Sequence, residues 1–556
     1  MPRNRKIEPA AAKGSGKAIR DSLLSKYWMA LLLVVLTFVV YGNSLQNGFV
    51  FDDLFAINQN TGVNTWTDLG RVFVTNYQPW SQSLDAEKNN SSNYYRPIIL
   101  LSFGLSKLIW GQNPFPFHLT NVIMMALLAV FWYGLVWDLS SDRWLAFLAS
   151  LLYLLNPIHA EVVAFINGRT DLTATLFIIG SLYYYWKWRK DNKIWQLIVS
   201  VISWLVALGS KEIAVVLPII LLSMELLQSC GRKKKIWRFE YVYYLVIFLL
   251  FLIVRYLVLK NNIYWQRDIL DFSSIGTIGP KNWRYLKLIL WPASLSTYYT
   301  DVFKAGWSGW ISSLLLLILP AILIYMSRKK KDIFIAFSSV LFIWGSLPAM
   351  GLVSNTSNVE FGERFVFFSS LGISLLLAWV FVKLIGRIKQ RTWKYAAIVL
   401  LVIYGSFLGY KTVRQNRVWR SDHTLFREMA RTSPQSFLAH FNLANEYAKR
   451  RQADSAIVHY QKAMEIRPDN IDAVNNLGVL YFMMGKYAQA EGEYKKAAAL
   501  SPRSPVVYYN IGLCYQQRGL LSEASRWYRL ALEKDPFFRA ARSALEFIEN
   551  DRAQGK

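Results

Sequence analysis

Apolar segments long enough to cross a membrane are the feature that most constrains the fold of this chain. About 20 consecutive apolar residues cross the hydrocarbon core of a bilayer as a helix, and a helix satisfies its own backbone hydrogen bonds there. Residues 27–46 form the first such segment. The others lie at 117–138, 144–157, 171–186, 194–208, 213–229, 239–259, 307–326, 333–350, 364–382 and 395–412. The sequence therefore predicts an all-α fold that begins with a polytopic membrane bundle of about eleven helices.

The composition favours a membrane protein and argues against nucleic-acid binding. Hydrophobic residues make up 54% of the 556 residues and charged residues 18%, against about 25% charged in an average soluble protein. The net charge is +27, but the basic residues lie in short runs between apolar segments rather than on one polar face. The two cysteines, Cys230 and Cys514, lie too far apart in sequence to predict a disulfide framework or a metal site.

The basic runs predict the orientation of the bundle. The leader 1–26 is basic and no small-residue cleavage pattern follows it, so we expect an uncleaved anchor with a cytoplasmic N-terminus. The apolar segment 94–110 is interrupted by charged residues, a proline and serines. If this segment does not span the membrane, every basic run lies on the cytoplasmic side, which is where basic loops are enriched. We therefore expect the segment 94–110 to form an amphipathic helix on the outer membrane face. This orientation places outside the loops 47–116, 158–170, 209–212, 260–306 and 350–363 and the region after residue 411.

From residue 436 onward the chain repeats with a period of 34 residues, in the units 436–469, 470–503 and 504–537. Small and aromatic residues recur in register, as in Ala444/Gly478/Gly512 and Tyr460/Tyr494/Tyr528. The pattern resembles the tetratricopeptide repeat, an α-solenoid of antiparallel helix pairs whose concave face binds an extended peptide or a partner protein. Self-association is the alternative role. The domains expected are thus a membrane domain at 27–413, a half-repeat linker helix at 414–435, and repeats with a closing helix at 436–556.

Charged residues recur in the predicted outer loops, where they mark function or pairing. Asp52 and Asp53 open the first loop, and such a pair could be solvated, cap a helix, bind a metal or act as a general base. Asp171 could simply cap the next helix and pair with Arg169. Three other loops contribute His159, Glu161, Arg169, Asp171, Lys211, Glu212, Glu363 and Arg364. Because several loops deliver charges to one side of one bundle, the sequence favours a site for a charged ligand.

The order of these motifs resembles that of the transmembrane and tetratricopeptide-repeat O-mannosyltransferases, which belong to the GT-C glycosyltransferase superfold. The motifs are Phe51-Asp52-Asp53, Tyr95-Arg96-Pro97, Leu101-Ser102-Phe103, His118-Leu119-Thr120-Asn121, Pro157-Ile158-His159-Ala160-Glu161, Gly168-Arg169-Thr170-Asp171-Leu172, Lys211-Glu212 and Glu363-Arg364-Phe365. The resemblance covers about residues 27–550, although the chain has fewer repeats than the animal members. It implies transfer of a sugar, mannose, from a dolichyl or undecaprenyl phosphate to Ser or Thr hydroxyls of proteins. The short repeat array and the absence of retention motifs favour a prokaryotic cytoplasmic membrane over the endoplasmic reticulum.

The expected chemistry needs one base, because a hydroxyl must lose its proton while a phosphate leaves without an acid. We expect Asp52 to be this base and Asp53 to orient it or share the role, and single displacement predicts inversion at the anomeric carbon. Arg364, Arg169 and Lys211 are the expected ligands of the donor phosphate. The expected supporting or sugar-binding residues are His159, Glu161, Asp171, Glu212, Glu363 and Arg96.

No cofactor is assigned beyond the lipid-linked sugar donor, although a divalent metal held by Asp53, His159, Glu161 or Asp171 stays open. The expected partners are membrane lipid, the polyprenyl-phosphate sugar and an acceptor protein bound through the repeats. Two alternatives are a transferase of the same superfold that acts on a glycolipid or cell-envelope polymer, and a non-catalytic membrane scaffold with a repeat docking arm. A transporter would need ionisable groups near the bilayer midplane, whereas Arg255 lies near the end of its segment.

Overall fold

The computed structural model describes residues 28–58, 62–75, 94–228, 241–260, 275–299, 303, 306–330, 333–346 and 361–553. The predicted leader 1–26, the first part of the predicted loop 260–306 (residues 261–274) and most of the predicted loop 350–363 lie outside these residues. The described part of the chain is helical and contains no strand, which confirms the all-α prediction. It forms two compact units, the first within Met1–Gln82, Glu87–Leu295 and Asp301–Ser421 and the second within Ser83–Ala86, Ser296–Thr300 and Asp422–Lys556.

The first unit contains a helix at each of the predicted spanning segments. Its helices are α1 (Trp28–Gln46), α2 (Asp53–Asn58), α3 (Pro97–Trp110), α4 (Pro114–Ser140), α5 (Arg143–Leu155), α6 (Ala160–Ala164), α7 (Arg169–Asp191), α8 (Ile194–Leu208), α9 (Leu217–Gln228), α10 (Tyr241–Leu259), α11 (Ile275–Leu290), α12 (Trp307–Lys330), α13 (Phe334–Ser339), α14 (Ser370–Arg387) and α15 (Arg391–Asn416). Short 3-10 segments occur as well, among them Trp66–Val74, Ile166–Gly168 and Glu363–Val366.

Fewer of these helices qualify as membrane spans than the sequence predicts. Among the described residues, six helices are long and apolar enough to cross a membrane: α1, α4, α10, α12, α14 and the helix that contains α15. A seventh is counted if α5 and Pro157–Ala164, which are bent by 56°, form one span. The predicted count of eleven is therefore not confirmed. At 13 and 15 residues, α5 and α8 are only about 20 Å long, against the ~30 Å of hydrocarbon.

The bend after α5 lies at the centre of the first unit. Pro157 follows α5 and removes a backbone donor, so the helix ends there. Asn156 caps the break, since its side chain accepts from the Ile158 N–H at 3.3 Å and donates to the Ile289 carbonyl at 3.0 Å. All of residues 152–176 are buried, which places the polar start of α7 inside the bundle.

The helix α3 supports the segment that carries the paired aspartates. Pro97 starts this helix at a position where the missing N–H costs nothing. Its buried side chains Ile99, Leu100 and Phe103 pack in one apolar cluster with Ala56 and Ile57 of α2. The helix predicted at 94–110 is thus present, and one of its roles is to hold α2 against the bundle.

Two residues of the predicted cytoplasmic basic run at the end of α7 form ion pairs. Lys187 Nζ lies 2.8 Å from Asp138 Oδ2, and Arg189 Nη2 lies 2.7 Å from Glu225 Oε2 in a pair that is almost fully buried. The Tyr185 hydroxyl also donates to Glu225, at 2.7 Å. These contacts tie the far end of α7 to α4 and α9.

The second unit consists of helix pairs that follow the 34-residue period. Its helices are α16 (Asp422–Thr432), α17 (Phe437–Lys449), α18 (Ala453–Ile466), α19 (Ile471–Met483), α20 (Tyr487–Leu500), α21 (Pro505–Gln517), α22 (Leu521–Lys534) and α23 (Arg539–Ala553). Two glycines at repeated positions each face a buried tyrosine on the second helix of the same repeat. A Cβ on Gly512 would lie 2.5 Å from Tyr528 Cε1, and one on Gly478 would lie 2.7 Å from Tyr494 Cε1. The small residues that recur in register therefore pack against the recurring aromatic residues.

Alanine at position 512 is expected to destabilise the repeats by roughly 1–3 kcal/mol, because its methyl group overlaps the Tyr528 ring. Gly492 supplies the matched control, since it lies on the exposed side of α20 and a methyl group there would have no packing neighbour within 4 Å. Gly492→Ala should stabilise by up to about 1 kcal/mol through helix propensity alone. Thermal unfolding of the purified chain, followed by limited proteolysis of the repeats, measures both. Equal changes in stability for Gly512→Ala and Gly492→Ala would contradict the packing of Gly512 against Tyr528.

Candidate active site

The paired aspartates begin the short helix α2. The Asp52 carbonyl accepts a hydrogen bond from the Ala56 N–H at 2.8 Å, so Asp52 is the residue that caps the helix. Phe51, just before it, has a φ of 52°. This left-handed conformation is uncommon for residues other than glycine and costs on the order of 1 kcal/mol. The turn is thus held in a strained conformation directly beside the carboxylates.

The two carboxylates lie in different environments. Asp53 is fully buried, and its oxygens accept from the backbone N–H groups of Val50 and Asn167, both at 3.0 Å. The Asp52 residue retains 9% of its surface. Asp53 therefore fastens the turn to the loop before α7, and Asp52 is the more accessible of the two.

Arg169, at the start of α7, is completely buried. Its guanidinium donates to side chains and a carbonyl of α3 and α4: Asn121 Oδ1 at 3.0 Å, Ser102 Oγ at 2.9 Å, Ser106 Oγ at 3.1 Å and the Phe117 carbonyl at 2.9 Å. A phosphate could reach this group only by displacing those acceptors. The expected phosphate role of Arg169 is therefore not supported by its surroundings, and Arg169 joins three helices instead. Ser102 and Asn121, which lie in two of the sequence motifs, both accept hydrogen bonds from Arg169.

Lys211 and Asp171 form a close pair beside the start of α7. Lys211 Nζ lies 2.6 Å from both carboxylate oxygens of Asp171. Burial lowers the pKa of Lys211, Asp171 opposes this, and the positive charges of Arg96 and Arg364 lower the pKa further. The pair is thus one part of a larger group of interacting charges.

Arg364 and Glu161 form the second pair of this group. The Arg364 N–H donates to Glu161 Oε2 at 3.3 Å, and Arg364 Nε lies 3.7 Å from Glu161 Oε1. The Arg364 side chain is 28% exposed, whereas the adjacent Glu363 is buried. Phe365 lies under both cations, with its ring centroid 5.4 Å from the Arg364 guanidinium and 5.9 Å from Lys211 Nζ. Arg364 is therefore more exposed than Lys211 beside the same ring.

Glu212 is shared by two arginines. Arg96 binds it with both arms of its guanidinium, at 2.7 Å and 3.3 Å, and Arg255 Nη1 lies 3.8 Å from Glu212 Oε1. Although burial raises the pKa of Glu212, Arg96 and then Arg255 lower it to about 2. Glu212 is therefore ionised across the physiological range.

His159 has a structural environment. Its ring is fully buried between Tyr153 and Phe367, with centroids 4.3 Å and 4.9 Å away, and its Nε2 lies 2.9 Å from the Ser370 hydroxyl. These contacts pack α5 against the start of α14. The expected sugar-binding role of His159 gains no support from them.

Within the part of the chain that the structure describes, the side chains do not fit a resident divalent metal. Across the described ranges, no three His, Cys, Asp or Glu side chains are grouped so that they could hold a metal ion. Of the ligands considered from sequence, Asp53 is bound by two N–H groups and His159 by Ser370. We therefore derive no step through a metal.

The start of α7 connects the aspartates to the charged group. Asp53 accepts from Asn167, the Thr170 hydroxyl donates to the Asn167 carbonyl at 3.2 Å, and Asp171 holds Lys211. Electrostatic interactions then link Lys211 to Glu161, Arg364 and Arg96. Carboxylates and cations are thus linked through one segment of the chain, and Asp52, at 9% exposure, is more exposed than Asp53. A base together with cations suits proton removal and the stabilisation of a departing anion.

Two residues that shape this region were given no role in the site from the sequence. Arg255 is the lone charge in the apolar helix α10, and that isolation was an available signal. Tyr285 of α11 stacks on Phe361, with centroids 4.1 Å apart, and its hydroxyl accepts from the Gly362 N–H at 3.3 Å. Tyr285 thereby fixes the segment before Arg364, which no sequence pattern indicated.

Comparisons with known proteins match both parts of the chain. Residues 97–258 match the family model described as dolichyl-phosphate-mannose-protein mannosyltransferase. Residues 444–485 and 483–546 match two models of the tetratricopeptide repeat. The repeat architecture inferred from the 34-residue period is thereby confirmed.

Several curated relatives match most of this chain. Protein O-mannosyl-transferase TMTC1 of Homo sapiens is 27% identical over 532 residues, which cover 81% of this chain and 56% of that protein. Protein O-mannosyl-transferase TMTC3 of Mus musculus is 25% identical over 506 residues, covering 83% and 53%. Protein O-mannosyl-transferase TMTC2 of Homo sapiens is 34% identical over 157 residues, covering 28% and 18%. The chain spans about half the length of the first two of these relatives. The chain is thus similar to the protein O-mannosyl-transferases, and it joins a segment that matches the dolichyl-phosphate-mannose-protein mannosyltransferase model to tetratricopeptide repeats.

Proposed function

We propose that this protein is an integral-membrane glycosyltransferase that moves mannose from a polyprenyl-phosphate donor to Ser or Thr hydroxyls of proteins. The mannosyltransferase match, the names of the relatives and the helices long enough to span a membrane support this proposal. The observation that carries it is that one short segment at the start of α7 binds both groups: the Asn167 N–H donates to Asp53, and Asp171 accepts from Lys211.

The proposed reaction is a single displacement. The acceptor hydroxyl gives its proton to the Asp52 carboxylate while its oxygen bonds to the anomeric carbon. The bond from that carbon to the phosphate oxygen breaks, and the lipid phosphate leaves with the electron pair. Attack opposite to the leaving group inverts the anomeric configuration. Asp53 positions the base, because it fastens the strained Phe51 turn to Asn167.

Arg364 and Lys211 are the proposed ligands of the leaving phosphate. Both lie against Phe365, and Arg364 is 28% exposed. Fixed cations stabilise the negative charge that develops on the phosphate, and a guanidinium matches phosphate oxygens with two parallel hydrogen bonds. Glu161 and Asp171 hold these cations in place. Glu363 and Glu212 are retained as supporting carboxylates, whereas Arg169 and His159 are assigned to packing.

The proposed orientation puts the N-terminus in the cytoplasm and both the site and the repeats on the outer or lumenal side. The distribution of the basic runs supports this orientation. A prokaryotic cytoplasmic membrane is kept only as a prediction from sequence. The repeats, which offer the concave surface typical of such solenoids, would then hold the acceptor protein on the side of the site.

The test is transfer of label from polyprenyl-phosphate mannose, radiolabelled in the sugar, to membrane proteins by the purified chain in lipid nanodiscs. Label in protein that alkaline β-elimination releases would identify an O-linked sugar on Ser or Thr. Label only in the organic extract would favour a glycolipid acceptor. No transfer from any polyprenyl-phosphate sugar would favour the scaffold alternative.

A further inference from the structure

A row of three exposed arginines follows the apolar part of α15. Arg414, Arg417 and Arg420, which we call the arginine row, are all exposed. They lie three residues apart, and Arg417–Arg420 is a 3-10 segment with three residues per turn, so the side chains project from about the same face. Within the part of the chain that the structure describes, none of them forms an ion pair. Like charges at this spacing repel one another, so this face favours an anionic ligand.

The opposite face of the same helix end is fixed to the rest of the first unit. The Thr412 hydroxyl donates to the last carbonyl of α5 at 2.7 Å, and the Asn416 amide donates to a carbonyl of α1 at 2.9 Å. Trp419 is buried and stacks on Phe165, with ring centroids 4.9 Å apart. The backbone that carries the arginine row is therefore held in place from the other side.

The exposed face of α15 is apolar up to the point at which the arginine row begins. Only 11% of the apolar window of this helix is buried within the protein, as expected of a lipid-facing span. Val399, Ile403 and Tyr410 are 56%, 59% and 65% exposed, and their spacing puts them on one face with Arg414, which follows Tyr410 by one turn. Tyrosine is enriched where hydrocarbon meets the lipid head groups. The arginine row therefore begins at the level of the head groups.

We propose that the arginine row binds the anionic head groups of phospholipids in the leaflet in which α15 ends. A guanidinium donates two parallel hydrogen bonds to a phosphate, and basic residues beside a membrane attract anionic lipids. In the proposed orientation this is the outer leaflet, where basic residues are not needed to orient the chain. The inference stands apart from the proposed sugar transfer, since it concerns the lipid around the protein rather than the donor.

The arginine row lies on a segment that also holds the chain ahead of the paired aspartates. The Gly48 N–H donates to the Arg420 carbonyl at 3.1 Å, and the Asn47 amide donates to the Asn416 carbonyl at 3.2 Å. Gly48 precedes Asp52 by four residues. Lipid bound at Arg420 would therefore lie against the segment that fixes the start of the loop with Asp52.

The test identifies the lipids that lie next to the arginine row. The full chain, with photoreactive benzoylphenylalanine in place of Tyr410, is reconstituted in nanodiscs of phosphatidylcholine that contain phosphatidylglycerol as the minor lipid. Mass spectrometry of the cross-linked peptide gives the ratio of the two lipids. We expect phosphatidylglycerol to be enriched at least about threefold over its share of the nanodisc. High salt should reduce this enrichment, because it screens the charges.

Two triple variants of the arginine row and one control separate charge from structure. Glutamine at all three positions should return the ratio to the composition of the nanodisc. Lysine at all three should keep most of the enrichment, because it keeps the charge and lacks only the guanidinium fork. The control should leave the ratio unchanged, since it removes the same number of charges from exposed positions in the repeats: Lys462→Gln, Arg503→Gln and Arg526→Gln.

Four results would overturn the inference. The first is a wild-type ratio equal to the composition of the nanodisc, and the second is an enrichment that survives the triple glutamine substitution. If the glutamine variant does not fold, a wild-type enrichment that high salt leaves unchanged overturns the inference instead. Displacement of phosphatidylglycerol from the cross-link by a small amount of added polyprenyl phosphate would assign the arginine row to the donor. Absence of sugar transfer by the same preparation would overturn the proposed function and leave lipid binding by the arginine row standing.

Discussion

Replacement of Asp52 by asparagine is expected to lower kcat for sugar transfer by about 10²–10⁴-fold, the usual range for the loss of a general base. The amide is nearly the same size but does not take the proton of the acceptor hydroxyl at neutral pH. Asp52 is 9% exposed, and its backbone carbonyl, which accepts from the Ala56 N–H, is unchanged by the substitution. We expect the variant to keep this cap of α2 and to fold. Initial rates with saturating polyprenyl-phosphate mannose, beside a thermal unfolding curve, measure both effects.

Asp53→Asn is the matched comparison for this prediction. Its carboxylate accepts from two backbone N–H groups, and an amide places an NH₂ against one of them. We expect Asp53→Asn to lower the free energy of unfolding by about 1–3 kcal/mol. The rate of sugar transfer should fall as well, because the turn that carries Asp52 is no longer held in position. A rate for Asp52→Asn within tenfold of the wild type would contradict the assignment of the base. So would a loss of rate that merely follows loss of folded protein.

Replacement of Arg169 by methionine is expected to be among the most destabilising single changes in the membrane unit, at roughly 3–5 kcal/mol, because several buried acceptors lose their donor at once. The substitution leaves buried acceptors of α3 and α4 without their donor, and an unsatisfied buried polar group costs about 1–3 kcal/mol. Arg169→Lys should recover only part of this loss, because an ammonium group does not reach acceptors arranged around a planar guanidinium. Fluorescence-detected size exclusion after a heating series gives the apparent midpoints.

The control for Arg169 is Arg71→Met. The Arg71 side chain is 77% exposed and pairs with Asp68 on the same short helix, so its removal should change stability by less than about 0.5 kcal/mol. A stable Arg169→Met protein that has lost only donor binding would contradict the structural role. It would restore the phosphate role expected from sequence.

The repeats and the polar motifs were predictable because each depends on local spacing. A 34-residue period specifies which small residue faces which tyrosine, as Gly512 and Tyr528 show. The aspartate pair could be placed at the start of the first loop because it directly follows an apolar segment. The sequence could not separate the two carboxylates, since their difference arises from the Asn167 N–H, more than a hundred positions away.

The number of spans and the surroundings of Arg169 could not be predicted in the same way. Apolar composition does not distinguish a lipid-facing helix from one buried among its neighbours, and α5 and α8 are apolar but short. The sequence motif of Arg169 and Asp171 does not show whether the arginine binds a phosphate or donates to buried side chains. In the structure Arg169 donates to Asn121 and two serines. No role was predicted for Tyr285 because its hydroxyl binds the backbone N–H of Gly362, just before Arg364, and a backbone contact leaves no pattern in the sequence.

The most direct test of the central claim is mannose transfer by the wild type and Asp52→Asn in matched nanodiscs with one labelled donor preparation. We expect O-linked label in protein with the wild type, and at least about a hundredfold less with the variant at equal folded concentration. Equal labelling by the two proteins, or no labelling of protein by the wild type, would contradict it.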